Sequence, residues 1–325
     1  MGVMKAIVQD GYGSADVLHL REIDTPAVAD DLVLLRVRAA SVNALDWHTV
    51  HGGRLVGAIA FLLRSPTSPV LGVDLAGVVE AVGRNVTRFR PGDEVFGTSR
   101  GAFAEYATAE ETHLAPKPRG LSFAEAAAIG VAGVTAIQGL RDKGRLQPGQ
   151  RVLIYGAGGG VGTFAVQVGK ALGAHVTAVT GTKNLELVRS LGPDELIDRT
   201  TDDFTRRGQQ YDVILDVAAD RSFADLRRVL APNGRLVLAG AAKSGMLATL
   251  SRTLAAVVRS HLGSSWLVPF LARVRHEDLL ALKELIEAGR VRPIIDREYT
   301  FGEAPDAVRY VGSGQARAKV VINVS

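Results

Sequence analysis

Two groups of residues in this chain have the types and spacing to do chemistry. The first is the run Gly156-Ala157-Gly158-Gly159-Gly160-Val161-Gly162. Glycines at the start of a helix leave backbone N–H groups open to a phosphate. Gly159 lets the main chain approach a pyrophosphate, and Gly162 lets a helix pack closely on the preceding strand. Gly158, Gly159, Gly160, Val161 and Gly162 are therefore the expected cofactor contacts. The pattern is A-x-G-x-x-G from Ala157, one residue off the standard dinucleotide form, so its weight rests on what flanks it. The second group is Asn43, Asp46 and His48, in a mostly polar connection over residues 41–51 of the kind that often carries function. An amide orients a carbonyl oxygen, and a histidine can relay a proton. Asp46 has a second reading, as an acid bracing a helix start through backbone N–H groups.

Other chemistries are excluded or unsupported. The 325 residues include no cysteine, which removes disulfides, thiolate zinc sites and a cysteine nucleophile. No Ser-His-Asp arrangement with a nucleophile elbow stands out, nor do paired catalytic carboxylates. His51, one helical turn beyond His48, stays open. His19, His113, His175, His261 and His276 read as surface or core residues.

The elements that must position these groups follow from periodicity. Val152-Leu153-Ile154-Tyr155 is a β-rich run with Pro148-Gly149 ahead of it, and Tyr155 reads as a packing residue. Val161, Phe164, Ala165, Val168 and Leu172 then repeat at helical spacing, giving strand, glycine turn and helix. Ser122-Phe123-Ala124-Glu125 is a capping box. Beyond it, strands and helices alternate through 175–180, 185–191, 211–217, 223–230 and 235–239, which implies a parallel sheet covered on both faces. Residues 3–110 are instead short β-branched runs punctuated by turns, an all-β lobe. Leu279, Leu282 and Ile286 mark a helix that stops at Gly289, and residues 291–325 turn β-like again, so the tail should rejoin the first lobe. The apolar region 246–272, interrupted by Pro269, carries no assignment. The fold class is α/β, with a β-rich lobe (1–122 and 293–325) and an inserted doubly wound parallel-sheet domain (123–292).

Bulk properties agree with this. A content of 47% hydrophobic and 22% charged residues is that of an ordinary globular protein. The net charge of +4 is scattered rather than bunched, which argues against nucleic acid as a partner. The first residues lack the apolar core of a signal peptide, and no apolar run is long enough to span a bilayer, so a soluble cytoplasmic protein is expected.

Several segments together resemble the zinc-independent quinone oxidoreductases, and the related reticulon-interacting-protein subgroup, of the medium-chain dehydrogenase/reductase superfamily. They are Ser41-Val42-Asn43-Ala44-Leu45-Asp46-Trp47-His48, Val70-Leu71-Gly72-Val73-Asp74-Leu75-Ala76-Gly77, Pro91-Gly92-Asp93-Glu94-Val95-Phe96-Gly97, the glycine turn with Gln167 and Lys170-Ala171-Leu172-Gly173-Ala174, and Arg317-Ala318-Lys319-Val320-Val321. The resemblance covers essentially the whole chain. It implies a GroES-like first lobe, a Rossmann domain, a homodimer (with 235–272 as a plausible interface) and a reaction in a cleft between the lobes. It also implies that the loop of Asn43 and Asp46 faces the nicotinamide, where Asn43 hydrogen-bonds either a substrate carbonyl or the nicotinamide ribose, that His48 is the candidate proton relay, and that Thr135 and Gly240 lie near the nicotinamide. Lys319 should reach the cofactor from the tail.

Where zinc alcohol dehydrogenases carry Gly-His-Glu, this chain has Gly72-Val73-Asp74, and one aspartate cannot supply the three protein ligands of a catalytic zinc. The expected metal is none. An NAD enzyme places an acid about 20 residues past the glycine motif. Gly181 stands there instead, flanked by Thr180, Thr182 and Lys183, whose hydroxyls and cation suit the 2′-phosphate of NADP. Family members often carry a tyrosine after Ile-Asp; Arg199 follows Ile197-Asp198 here, either as a phosphate clamp or as a solvated charge. The expected function is NADPH-dependent reduction of quinones or of the C=C bond of α,β-unsaturated carbonyls. Its alternative is a non-catalytic NADPH-binding protein that contacts RNA or a protein.

Overall fold

In the computed structural model, which describes residues 2–51, 70–240, 254, 256 and 266–324, the strands sort into sheets of two kinds. Strand Leu32–Val42, aliphatic and mostly buried, is the spine of the first kind. The order is Ile295–Thr300, Lys319–Asn323, Leu32–Val42, Asp74–Val82, Glu94–Thr98 and Leu114–Pro116, with Tyr106–Glu110 also on the spine. Lys319–Asn323 runs antiparallel to the spine, so the tail does rejoin the first lobe. Leu35, Leu75, Phe103, Leu114 and Ile322 are among its buried core. The register sets Ser41 opposite Asp74, at the end of the spine that leads into helix Ala44–His51.

The second kind is a six-stranded parallel sheet. Its order is Glu195–Asp198, His175–Thr180, Arg151–Tyr155, Tyr211–Asp216, Leu230–Leu238 and Leu267–Pro269. With Arg151–Tyr155 counted first, this is the 3-2-1-4-5-6 order of a doubly wound dinucleotide fold. Helix Gly160–Ala171 buries Phe164, Ala165 and Val168, the face its spacing predicts.

The chain packs as two units. One is Met1–Val131 with Val274–Glu287 and Pro293–Ser325; the other is Ala132–Arg273 with Ala288–Arg292. Helix Phe123–Ala127, opened by the Ser122–Glu125 capping box, belongs to the first unit. So does helix His276–Glu287, which buries Leu279, Leu282 and Ile286. In the second unit, Gln138 Nε2 donates to the Arg273 carbonyl at 2.7 Å, and Gln138 Oε1 accepts the Arg273 N–H at 3.3 Å. One carboxamide thus clasps both polar groups of a residue 135 positions away. Most of 246–272 lies outside the described residues; within it, Leu267–Pro269 is the edge strand of the parallel sheet. Among the described residues, no helix is long and apolar enough to cross a membrane.

Candidate functional site

In the first unit, Asp74 is the hub of a buried polar cluster. Its Oδ2 accepts from Ser41 Oγ at 3.0 Å, Asn43 Nδ2 at 3.0 Å and Lys319 Nζ at 3.1 Å. Its Oδ1 accepts the N–H of Val131 at 2.8 Å. Lys319 Nζ also donates to Asn43 Oδ1 at 2.9 Å. The carboxylate and ammonium are sealed, with side-chain exposures of 0% and 3%. Each is a charge that burial would penalise heavily without its partner. Lys319, expected at the cofactor, is thus held by Asp74 and Asn43.

Asn43, partly exposed, precedes helix Ala44–His51. Its backbone is fixed as well as its side chain, because Asp46 Oδ2 accepts the Asn43 N–H at 2.8 Å. Asp46 is fully buried and occupies the third position of the helix, where an acid satisfies an otherwise unpaired N–H. The geometry gives it the bracing role. His48 lies half-buried on the same helix; burial, then the nearby His51, pushes its imidazole below the usual histidine range. His51 stacks on Trp47 with ring centroids 4.7 Å apart and points Nδ1 at the Gly13 carbonyl, 3.2 Å away. His276 Nδ1 lies 2.6 Å from the Leu114 carbonyl, a structural contact.

In the second unit, the glycine turn joins strand Arg151–Tyr155 to helix Gly160–Ala171. A Cβ at Gly162 would stand 2.2 Å from the Gly156 carbonyl oxygen, and one at Gly158 would stand 2.4 Å from Asn184 Nδ2. A Cβ at Gly159 would meet only the Gly156 oxygen, at 3.7 Å. No side chain caps the helix, so its first N–H groups and the helix dipole suit an anion. These residues fit a dinucleotide. Gly240 follows strand Leu230–Leu238 and donates its N–H to Asp216 at 3.1 Å; a Cβ there would lie 2.0 Å from the Val217 oxygen. Thr135, 7% exposed, lies on helix Gly130–Ile137.

The residues expected near a 2′-phosphate gather where the adjacent strands His175–Thr180 and Glu195–Asp198 end. Thr180 is only 3% exposed, so its hydroxyl lies beneath the surface. Thr182 is exposed and donates to Asp198 at 2.6 Å; Lys183 beside it is exposed too. The Thr182 hydroxyl, with the Thr200 N–H and hydroxyl, holds the Asp198 carboxyl below the usual carboxylate range. Arg199 donates to Asp220 at 2.6 Å, and the Tyr155 hydroxyl donates to the other Asp220 oxygen. Burial, then this carboxylate, pushes the Tyr155 phenol up. Tyr155 also packs on Phe204 at 5.2 Å, a packing residue with one polar handle.

Comparison with known proteins matches two family models, the alcohol dehydrogenase GroES-like domain over residues 29–119 and the zinc-binding dehydrogenase over 191–322. The chain is 33% identical over 335 residues to the 2-methylene-furan-3-one reductase of Solanum lycopersicum, covering 98% of this chain and 79% of that one. It is 34% identical over 365 residues to the mitochondrial NAD(P)H oxidoreductase RTN4IP1 of Mus musculus, covering 99% and 89%. The chain belongs to the medium-chain dehydrogenase/reductase superfamily, in its quinone-oxidoreductase-like subgroup. The quinone oxidoreductase structure from Coxiella burnetii superposes with a TM-score of 0.86 at 28% identity, over 100% of both chains. As a member of this superfamily the protein is an oxidoreductase with a GroES-like domain and a nicotinamide-binding Rossmann fold.

Zinc, which the second family model names, is a different matter. Asp74 stands at the position of the Gly-His-Glu acid, both of its oxygens accept hydrogen bonds, and a lysine ammonium lies 3.1 Å away. An ammonium occupying that place, in a chain without cysteine, does not fit a zinc ligand set. Sequence reasoning missed Asp74 as the hub, with Ser41 beside it, and missed Asp220 as the partner of Arg199. Lys319 did carry a signal: it is the one charge in strand Lys319–Asn323.

Proposed function

We propose that this superfamily member uses NADPH to reduce quinones or the C=C bond of α,β-unsaturated carbonyls, without zinc. The observation that carries the reading is the Asn43 carboxamide, gripped by Lys319 and Asp74 where zinc relatives place metal chemistry. Carbonyl-to-alcohol reduction benefits from a Lewis acid on the oxygen. An enone or quinone is already electrophilic, and a hydrogen-bond donor on its oxygen is enough. The nicotinamide, when bound, supplies a hydride. In an enone the β-carbon takes the hydride, the π electrons move onto the oxygen, and a proton on the α-carbon completes the saturated ketone. Asn43 orients that oxygen. His48, directly or through water, helps supply the proton. The uncapped helix after Gly159 holds the pyrophosphate, and Lys183 and Thr182 favour a 2′-phosphate over a bare hydroxyl.

The test is oxidation of NADPH against a panel of quinones, enals and enones, followed by a run with NADPH deuterated at C4. Deuterium is expected on the β-carbon of a saturated ketone. Label on a carbinol carbon would mean carbonyl reduction, and silence across the panel together with salt-sensitive nucleic-acid binding would favour a non-catalytic protein.

A further inference from the structure

We propose that the buried Asp74–Lys319 pair is the device that sets which way the Asn43 carboxamide faces, making both charges positioning residues for the acceptor. The inference rests on the assignment of Asn43 to the acceptor oxygen.

The two ends of a carboxamide are nearly the same shape, so an asparagine in a neutral pocket can present either oxygen or nitrogen. Here the choice is made by partners that have no alternative. An ammonium only donates, so the Asn43 atom 2.9 Å from Lys319 Nζ is the oxygen. An ionised carboxylate only accepts, so the atom 3.0 Å from Asp74 Oδ2 is the nitrogen. A flipped amide would set two donors against each other at Lys319 and two acceptors at Asp74. Asn43 is partly exposed, and its second Nδ2 hydrogen has no partner among the described residues. That hydrogen is what an acceptor oxygen would find.

The anchor points are themselves rigid. Ser41 and Val131 hold the Asp74 carboxylate from two further directions. Lys319 begins a strand paired on both edges, to Ile295–Thr300 and to Leu32–Val42. Asp46 fixes the Asn43 backbone. A buried ion pair is weak evidence for stability in its own right, and specifying one arrangement of a neighbour is a role it can fill instead. Lys319 on this account is no cofactor ligand.

Lys319→Met alone leaves a buried carboxylate uncompensated and risks unfolding, so the deciding variant is Asp74→Asn/Lys319→Met, in which both charges go and bulk is kept. Three readouts are compared with the parent: acceptor turnover, NADPH dissociation constant by nucleotide fluorescence, and hydrogen exchange of the Asn43 side-chain NH2. The NH2 signal is assigned by its loss in Asn43→Ser. The expected result is a fall in kcat of roughly 10- to 100-fold, the scale of a misplaced contact group, with the NADPH constant within twofold. Exchange of the Asn43 Nδ2 hydrogen bound to Asp74, slow in the parent beside its unpartnered neighbour, should become fast in the double variant. A parallel loss of NADPH affinity would overturn the proposal in favour of a cofactor contact. Unchanged kcat and unchanged exchange protection would overturn it in favour of a purely structural pair. If the parent turns over no acceptor, the proposed reaction falls, and the exchange comparison still decides whether the pair orients Asn43.

Discussion

The carboxylate of Asp74 occupies the space that a side chain on residue 130 would need: a Cβ built on Gly130 lies 2.3 Å from Asp74 Oδ1. Gly130 opens a helix, where alanine is normally the better residue by up to about 1 kcal/mol. Contact with Asp74 reverses the sign. Gly130→Ala should push the carboxylate off the Val131 N–H and destabilise the protein by about 1–3 kcal/mol, the range of overpacking and of an unsatisfied buried donor. Urea denaturation measures this, and a gain in midpoint would refute it.

The glycine turn allows a paired comparison. Gly162→Ala forces a Cβ to 2.2 Å from the Gly156 oxygen, so thermal stability and nucleotide binding should fall together. Gly159→Ala meets only one atom, at 3.7 Å, so the fold should hold its melting temperature. Nucleotide affinity should still drop, because the added methyl stands where a pyrophosphate approaches the backbone. Calorimetric titration beside thermal melts separates the two. Unaltered affinity in Gly159→Ala would remove the phosphate from this turn.

Lys183→Ala should weaken NADPH binding by about 1.5–3 kcal/mol, the scale of a hydrogen bond to a charged group, while NADH binding barely changes. Thr182 already donates to Asp198 at 2.6 Å, so Thr182→Val should have the smaller effect on NADPH. Titrating both nucleotides against each variant checks the assignment, and equal losses for NADPH and NADH would sink it.

His48 sets a pH dependence whose sign follows from its environment. Burial and His51 lower its folded-state pKa, so the native protein binds fewer protons than the unfolded chain between that value and about 6.5. Stability contributed by neutral His48 is therefore present above about 6.5 and is lost as pH falls toward the lowered value. His48→Gln should flatten this part of the acid limb, read as a smaller shift in urea midpoint between neutral and mildly acidic buffer. At neutral pH the ring is uncharged, so it relays a proton rather than donating from a standing cation. His48→Ala should then cost only about 10²-fold or less in kcat, the low end of acid–base catalysis. A larger loss would make His48 the principal acid.

The glycine turn and the doubly wound sheet were legible because their signals are local: a β-rich run, a glycine cluster and a helical repeat within a single strand-to-helix passage. The capping box at Ser122 was legible for the same reason. The Asp74–Lys319 pair was not, since its partners stand 245 positions apart and only the folded register joins them. Spacing placed Thr180 and Thr182 at the end of strand His175–Thr180, but it does not report which hydroxyl points inward. Thr180 does, and Thr182 turns to Asp198. Arg199 read as a clamp or a free charge because Asp220, its partner, follows a different strand.

The clasp of Gln138 on Arg273 bears on how the long-range sheet is assembled. Strands Leu32–Val42 and Lys319–Asn323 are neighbours, yet the whole segment Ala132–Arg273 intervenes in the chain. Bringing together the ends of a slack loop is entropically costly, and each doubling of its length adds about 0.6 kcal/mol. With Gln138 holding Arg273, the chain between them no longer adds to that loop. What remains between the two strands is the chain on either side of the clasp, and closing a shorter loop costs less.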